Sequence, residues 1–136
     1  MTYSLSHLVR VVSALSIAAG LLAVIAPGSV ADFFGLEIVQ EQALGWGEIG
    51  ALYGGCFVAL GGLGLYGART SYADGPILLT AIGVIWLGIA SGRIAVMLTR
   101  GAEASSVFGW LSFVVEIAIG VVFVLAARSA PIDERA

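Results

Sequence analysis

Four apolar stretches, each of about 20 residues or more, divide this chain, and each can cross the roughly 30 Å hydrocarbon core of a bilayer as an α-helix. They cover residues 8–26, 44–67, 76–98 and 107–127. Lipid offers no partner for a backbone N–H or C=O, so a spanning segment must close its hydrogen bonds internally. Composition agrees, because 60% of the 136 residues are hydrophobic and 11% are charged, against about 25% charged in an ordinary soluble domain. The short connections make consecutive helices antiparallel neighbours. The expected fold is all-α: an integral membrane, antiparallel four-transmembrane-helix bundle, one membrane domain over residues 1–136.

The first stretch imitates a secretory signal, with Arg10 before an apolar run and Ser29-Val30-Ala31 before Asp32. The run from Val11 to Ala26 is long for a signal core, so a first transmembrane helix is the better account. Orientation rests on arginine, since the chain has no lysine. Cytoplasmic termini place Arg10, Arg69, Arg128 and Arg135 inside and leave Arg100 outside, as the positive-inside bias prefers. Trp46 and Trp110 then fall at the outer interface, and Tyr3, Tyr66 and Tyr72 at the inner one, where amphipathic rings are favoured. The expected location is the inner membrane, multi-pass, with both termini cytoplasmic.

The longest connection, Pro27 to Ala43, carries Asp32, Glu37 and Glu41 and no basic residue. Val30, Phe33, Phe34, Leu36 and Ile38 are too apolar for a freely solvated loop, so a short segment here is expected to lie along the interface and cap the outer face. Gly35 suits the end of a short helix, because glycine takes the left-handed conformation most readily.

Nineteen glycines give a second signal. In the second stretch Gly50 and Gly54 form a GxxxG pair, Ala51, Gly55 and Ala59 repeat at four, and Gly47, Gly54 and Gly61 repeat at seven. Gly88 and Gly92 give the third stretch a similar spacing. Helix association in lipid relies on close packing, so small-residue faces mark contacts, either within the bundle or with another protein chain.

Several function classes lose their footing. The matches Gly45-Trp46-Gly47-Glu48-Ile49-Gly50 and Gly62-Leu63-Gly64-Leu65-Tyr66-Gly67 have the GxGxxG form, but a membrane helix supplies no βαβ unit for a dinucleotide. His7 is the only histidine and Cys56 the only cysteine, which excludes bis-histidine haem ligation and a cysteine metal cluster within one chain. A net charge of −3 offers no basic surface to nucleic acid. Neither a cofactor nor a metal site is expected, and the chain does not read as an enzyme.

Glu48, Arg93 and Glu116 stand out against this background, since ionisable residues inside membrane helices pair with one another or line a cavity. At 1.5 Å per residue Arg93 lies about 8 Å below the outer end of the third helix and Glu116 about 14 Å below the start of the fourth. Side chains lean toward their own helix N-terminus, so the two are expected to meet, with Glu48 a looser partner near the outer surface. All three are expected to face inward: Glu48 on a stripe with Leu52, Gly55, Ala59 and Gly62, Arg93 with Trp86, Ala90 and Met97, and Glu116 with Ser112, Phe113, Gly120 and Phe123. The trio reads either as a structural ion-pair lock or as a polar site for a ligand, lipid headgroup or ion.

The run Glu48-Ile49-Gly50-Ala51-Leu52-Tyr53-Gly54-Gly55 with Gly61 beyond, the Gly92-Arg93 pair, Glu116, and Pro27 with Phe34-Gly35-Leu36 resemble the pattern of the DUF4345 family of small bacterial four-helix membrane proteins. The resemblance spans most of the chain and implies a fold and a recurring charged trio, with no activity attached. Where the family pattern implies an arginine soon after the helix 2 glutamate, this chain has Gly50, which leaves Arg93 as the cation at depth.

Three functional expectations follow. The first is a non-enzymatic accessory or scaffold subunit, packing through glycine-rich faces against a larger membrane complex or against copies of itself. The second is a small transporter; the chain resembles small multidrug exporters weakly, having no acidic residue in its first helix. The third is a membrane enzyme, or a lipid-binding or small-molecule-binding membrane protein, that uses Glu48, Arg93 and Glu116; with no metal-ligand set and no activated nucleophile, catalysis is the weaker form of it. Membrane lipids and other membrane protein chains are the expected partners.

Overall fold

The computed structural model describes residues 3–35, 47, 49–69, 74–100 and 107–129. These residues are all-helical. The elements are α1 (Tyr3–Ile25), α2 (Pro27–Phe34), α3 (Ile49–Gly67), α4 (Gly75–Arg100) and α5 (Val107–Arg128). All but α2 are long and apolar enough to cross a membrane. Helix α1 begins five residues before the predicted 8–26, because polar residues such as Ser4 and Ser6 continue the winding beyond the apolar run. Helix α4 overruns the predicted 76–98 by one residue at its start and two at its end, and α5 overruns 107–127 by one. Residues 44–46 and Glu48 of the predicted second span lie outside the described residues.

The chain divides into two compact units, Arg10–Leu65 and Met1–Val9 with Tyr66–Ala136. In the first, α1 and α3 run antiparallel at backbone contact. A Cβ on Gly20 would sit 2.6 Å from the Gly54 carbonyl oxygen, and one on Gly61 only 2.5 Å from the Ser13 carbonyl oxygen. Glycine is required here by close approach, since lipid supplies no hydrophobic drive between helices and contact area must. Pro27 separates α1 from α2: it has no N–H to continue α1, and its fixed φ suits the first turn of a new helix. Gly35 closes α2 at φ 67°, its N–H donating to the carbonyls of Ala31 and Asp32. Val30 and Ala31 pack with Ala23 and Ile49, and Phe34 stacks on Tyr53 at 5.1 Å, so α2 is held against the start of α3.

The first seven residues of α3, Ile49–Gly55, are π-wound, which the periodicity of the sequence does not predict. Three glycines in this run weaken its preference for α winding, and the change of phase leaves Gly54 facing α1 while Tyr53 meets Phe34.

In the second unit α4 and α5 run antiparallel along their length. Their contact rests on Gly83 and Gly120, where a Cβ on Gly83 would lie 2.9 Å from the Gly120 carbonyl oxygen. Leu79, Ile82, Trp86, Ala90 and Met97 form the buried stripe of α4, and Glu116, Gly120, Phe123 and Ala127 that of α5.

Candidate functional site

Among the described residues the α4–α5 contact carries one charged pair. Arg93 stands seven residues before the end of α4 and Glu116 nine residues after the start of α5, so antiparallel packing brings them to similar depth. Arg93 Nε donates to Glu116 Oε1 and Oε2 at 3.1 and 2.9 Å, and Nη2 donates to Oε1 at 2.5 Å. This forked arrangement fixes both orientation and distance, which a lysine ammonium does not do. The pair is unequal in exposure: 31% of the Arg93 side chain remains accessible against 9% of Glu116. Ser112 and Phe113 are half-buried beside the Glu116 stripe, and Trp86, Ala90 and Met97 are buried as expected for the Arg93 stripe.

A cleft of about 350 Å³ adjoins Arg93, lined by it together with Gly88, Ile89, Gly92, Val96, Met97 and Gly109. Its space comes from missing side chains, because a Cβ on Gly88 or Gly92 would meet nothing within 4 Å. Gly88, Gly92 and Val96 are all exposed and recur every four residues, so the cleft opens along one stripe of α4. Glu116 is not among its lining residues. The charged residue in the wall is therefore Arg93, which Glu116 pairs.

A family model described as a domain of unknown function, DUF4345, matches residues 5–127. The chain belongs to the DUF4345 family. Comparison with curated proteins and with solved structures finds no match. This DUF4345 protein is a multi-pass membrane protein by the four long apolar helices that its family match spans.

The glycines predicted as one packing or partner class separate into two. Gly54 and Gly61 are buried against α1, together with Gly20, and Gly83 and Gly120 make the α4–α5 contact. Gly83 escaped the sequence reading because helix partners are set by tertiary contact. Gly47, Gly50, Gly88 and Gly92 meet nothing within 4 Å, and Gly55 has only the Gly50 carbonyl of its own helix at 3.9 Å. A correction concerns the stripe assigned to Glu48: Leu52, Gly55, Ala59 and Gly62 are exposed rather than inward, Leu52 by 61%. The buried face of α3 is taken instead by Gly54, Leu60, Gly61 and Gly64. Glu48 and Leu36 lie outside the described residues. Phe33 is exposed while Phe34 packs on Tyr53, which gives α2 one ring outward and one inward.

Two further polar features belong to α1. Ser16 Oγ donates to the Val12 carbonyl at 3.0 Å, whereas the fully buried Ser13 Oγ has no hydrogen-bond partner among the described residues. The backbone of Ser13 is part of the contact with Gly61. Among the described residues no group of three or more His, Cys, Asp or Glu side chains is placed to hold a metal ion.

Proposed function

We propose that this DUF4345 protein is a non-catalytic inner-membrane protein, both termini cytoplasmic, that holds a small amphiphile of the bilayer in the cleft beside Arg93. One observation carries the reading: the cleft opens along the exposed Gly88, Gly92 and Val96 while its wall contains Arg93, the cation of an ion pair with Glu116. Concave sites lined by apolar groups with one or two placed polar groups are the common form of small-molecule pockets. The arginine distribution of the connections supports the orientation, and it puts the cleft in the outer half of the bilayer.

The experiment is extraction and mass analysis of lipidic molecules that remain with protein purified gently from its own membranes. The expected result is one amphiphile near 1:1 with the wild type and at least tenfold depleted from Gly92→Leu, whose side chain fills the cleft. Equal retention by both proteins sinks the reading.

A second reading, an accessory or scaffold subunit of a larger membrane complex, is favoured by the exposed stripe of Gly55, Ala59 and Gly62 on α3. Small residues at such spacing permit a helix of another chain to approach closely. Leucine at Gly55 and Gly62 is expected to remove partner proteins from mild-detergent extracts without altering the Arg93 cleft. Identical protein composition in both extracts counts against it.

A further inference from the structure

We infer that the start of α3 is a winding switch coupled to α2: the π-wound run keeps α2 docked, and rewinding it as α-helix turns Ile49 out and releases α2.

Phase is the first argument. Ile49 and Gly54 are both buried although they stand five positions apart. In an α-helix five residues overshoot a full turn by about 140°, so one of the two would face away. Closure from residue i to i+5 brings them to one face. Beyond the run α3 is α-wound, and Gly54 and Gly61, about two turns apart, both meet α1. The π run is therefore what lets one face of α3 serve Ile49 at its start and the α1 contact further along.

Attachment decides which part moves. A Cβ on Gly54 would lie 2.6 Å from Val24 Cγ2, and one on Gly61 only 2.5 Å from the Ser13 carbonyl oxygen, so this stretch has no room to turn. Ile49 is held by side-chain packing alone, in a cluster with Ala23 of α1 and Val30 and Ala31 of α2. Rewinding about a fixed Gly54 carries Ile49 round by about 100°, the step of one α-helical residue, and takes it out of that cluster. Helix α2 then loses the side chain its buried face closes on, and its eight residues are too few to stay helical without packing.

Ease of conversion is the third argument. A Cβ on Gly50 would meet nothing within 4 Å, and one on Gly55 only the Gly50 carbonyl of its own helix at 3.9 Å, so close approach requires glycine at neither position. Their effect is on winding, because glycine lowers the preference for α-helix and narrows the gap between the two forms. A ligand or partner that grips undocked α2, or the α-wound form of α3, shifts the balance by its difference in affinity for the two states.

The test measures nitroxide distances by pulsed electron paramagnetic resonance in full-length protein carrying Cys56→Ser. Labels attached through Leu21→Cys on α1 and Gly47→Cys, both exposed positions, follow the start of α3; Leu21→Cys with Gly62→Cys follows the stretch beyond the run. Three changes are compared. Phe34→Ala removes the ring stacked on Tyr53, and Ile49→Ala trims the anchor. Deletion of Gly50 sets Ile49 four positions from Gly54, where α winding keeps both on one face. The expected result is a second 21–47 distance population in Phe34→Ala and in Ile49→Ala, at least threefold above wild type. It is absent from the deletion variant with or without Phe34→Ala, and the 21–62 distance is unchanged throughout. A single unmoved population in either substitution overturns the inference. So does a second population that persists when the deletion carries Phe34→Ala, because the movement then comes from loss of α2 and not from rewinding. A 21–62 distance that shifts in the two substituted proteins also overturns it, since α3 then moves as a whole. Where the deletion variant does not fold, the two substitutions decide alone.

Discussion

Arg93 and Glu116 share a burial problem that neither solves alone. Each ion would be costly in a low-dielectric interior, and the forked geometry offsets much of that cost by satisfying both carboxylate oxygens. Glu116→Ala is expected to cost about 3 kcal/mol of helix-pair stability, because it takes away the carboxylate that both guanidinium nitrogens bond. The double variant Arg93→Met, Glu116→Leu should recover most of this loss, since both charges of the pair leave together. Reversible unfolding in mixed micelles checks both, and a double variant as unstable as the single one contradicts the account. Glycine shows the same dependence on surroundings. Gly61→Ala places a methyl group against the Ser13 backbone and is expected to cost about 1 to 3 kcal/mol, whereas its neighbour Gly62→Ala, with open space around it, should stay within about 0.5 kcal/mol. The same unfolding assay should separate the two adjacent substitutions.

Among the elements, α2 depends most on a single backbone conformation. Its eight residues are too few for a stable isolated helix, so the contacts of Val30, Ala31 and Phe34 with α1 and α3 hold it in place. Gly35 ends it at positive φ, where a residue with a Cβ loses about 1 to 2 kcal/mol. Gly35→Ala is therefore expected to raise hydrogen exchange at Val30 and Ala31 without changing exchange in α4 and α5. The π-wound start of α3 follows similar logic, since Tyr53 and Gly54 serve different neighbours one residue apart. Gly35 was legible from residue type and position. The π winding was not, because nothing in a hydropathy pattern distinguishes a five-residue from a four-residue closure.

At the scale of the whole molecule, the asymmetry of arginine and the exposed faces decide how the protein meets the membrane. A C-terminal alkaline phosphatase fusion is expected to be inactive and a C-terminal green fluorescent protein fusion bright, as a cytoplasmic terminus requires. The reverse pattern inverts the topology and moves the Arg93 cleft to the cytoplasmic half. The Leu52, Gly55, Ala59 and Gly62 face is exposed, although sharing a stripe with the position of Glu48 predicts that it faces inward. On a membrane helix both faces are apolar, so a stripe of small residues has no polar counterpart to reveal its direction.

Sequence alone determined the four spans, the helical class, the short helix ending at Gly35 and the likeness to the DUF4345 family, because segment length, hydropathy and backbone freedom are local properties. It also placed Arg93 and Glu116 at compatible depth, since rise per residue and side-chain lean are fixed by the α-helix itself. Tertiary structure decided which glycines touch, pairing Gly20 with Gly54 and Gly83 with Gly120 while leaving Gly88 and Gly92 open. It also decided that the ion pair stands beside a cleft. In a chain this uniformly apolar, contact and vacancy are built from the same small residues, and only the facing helix distinguishes them.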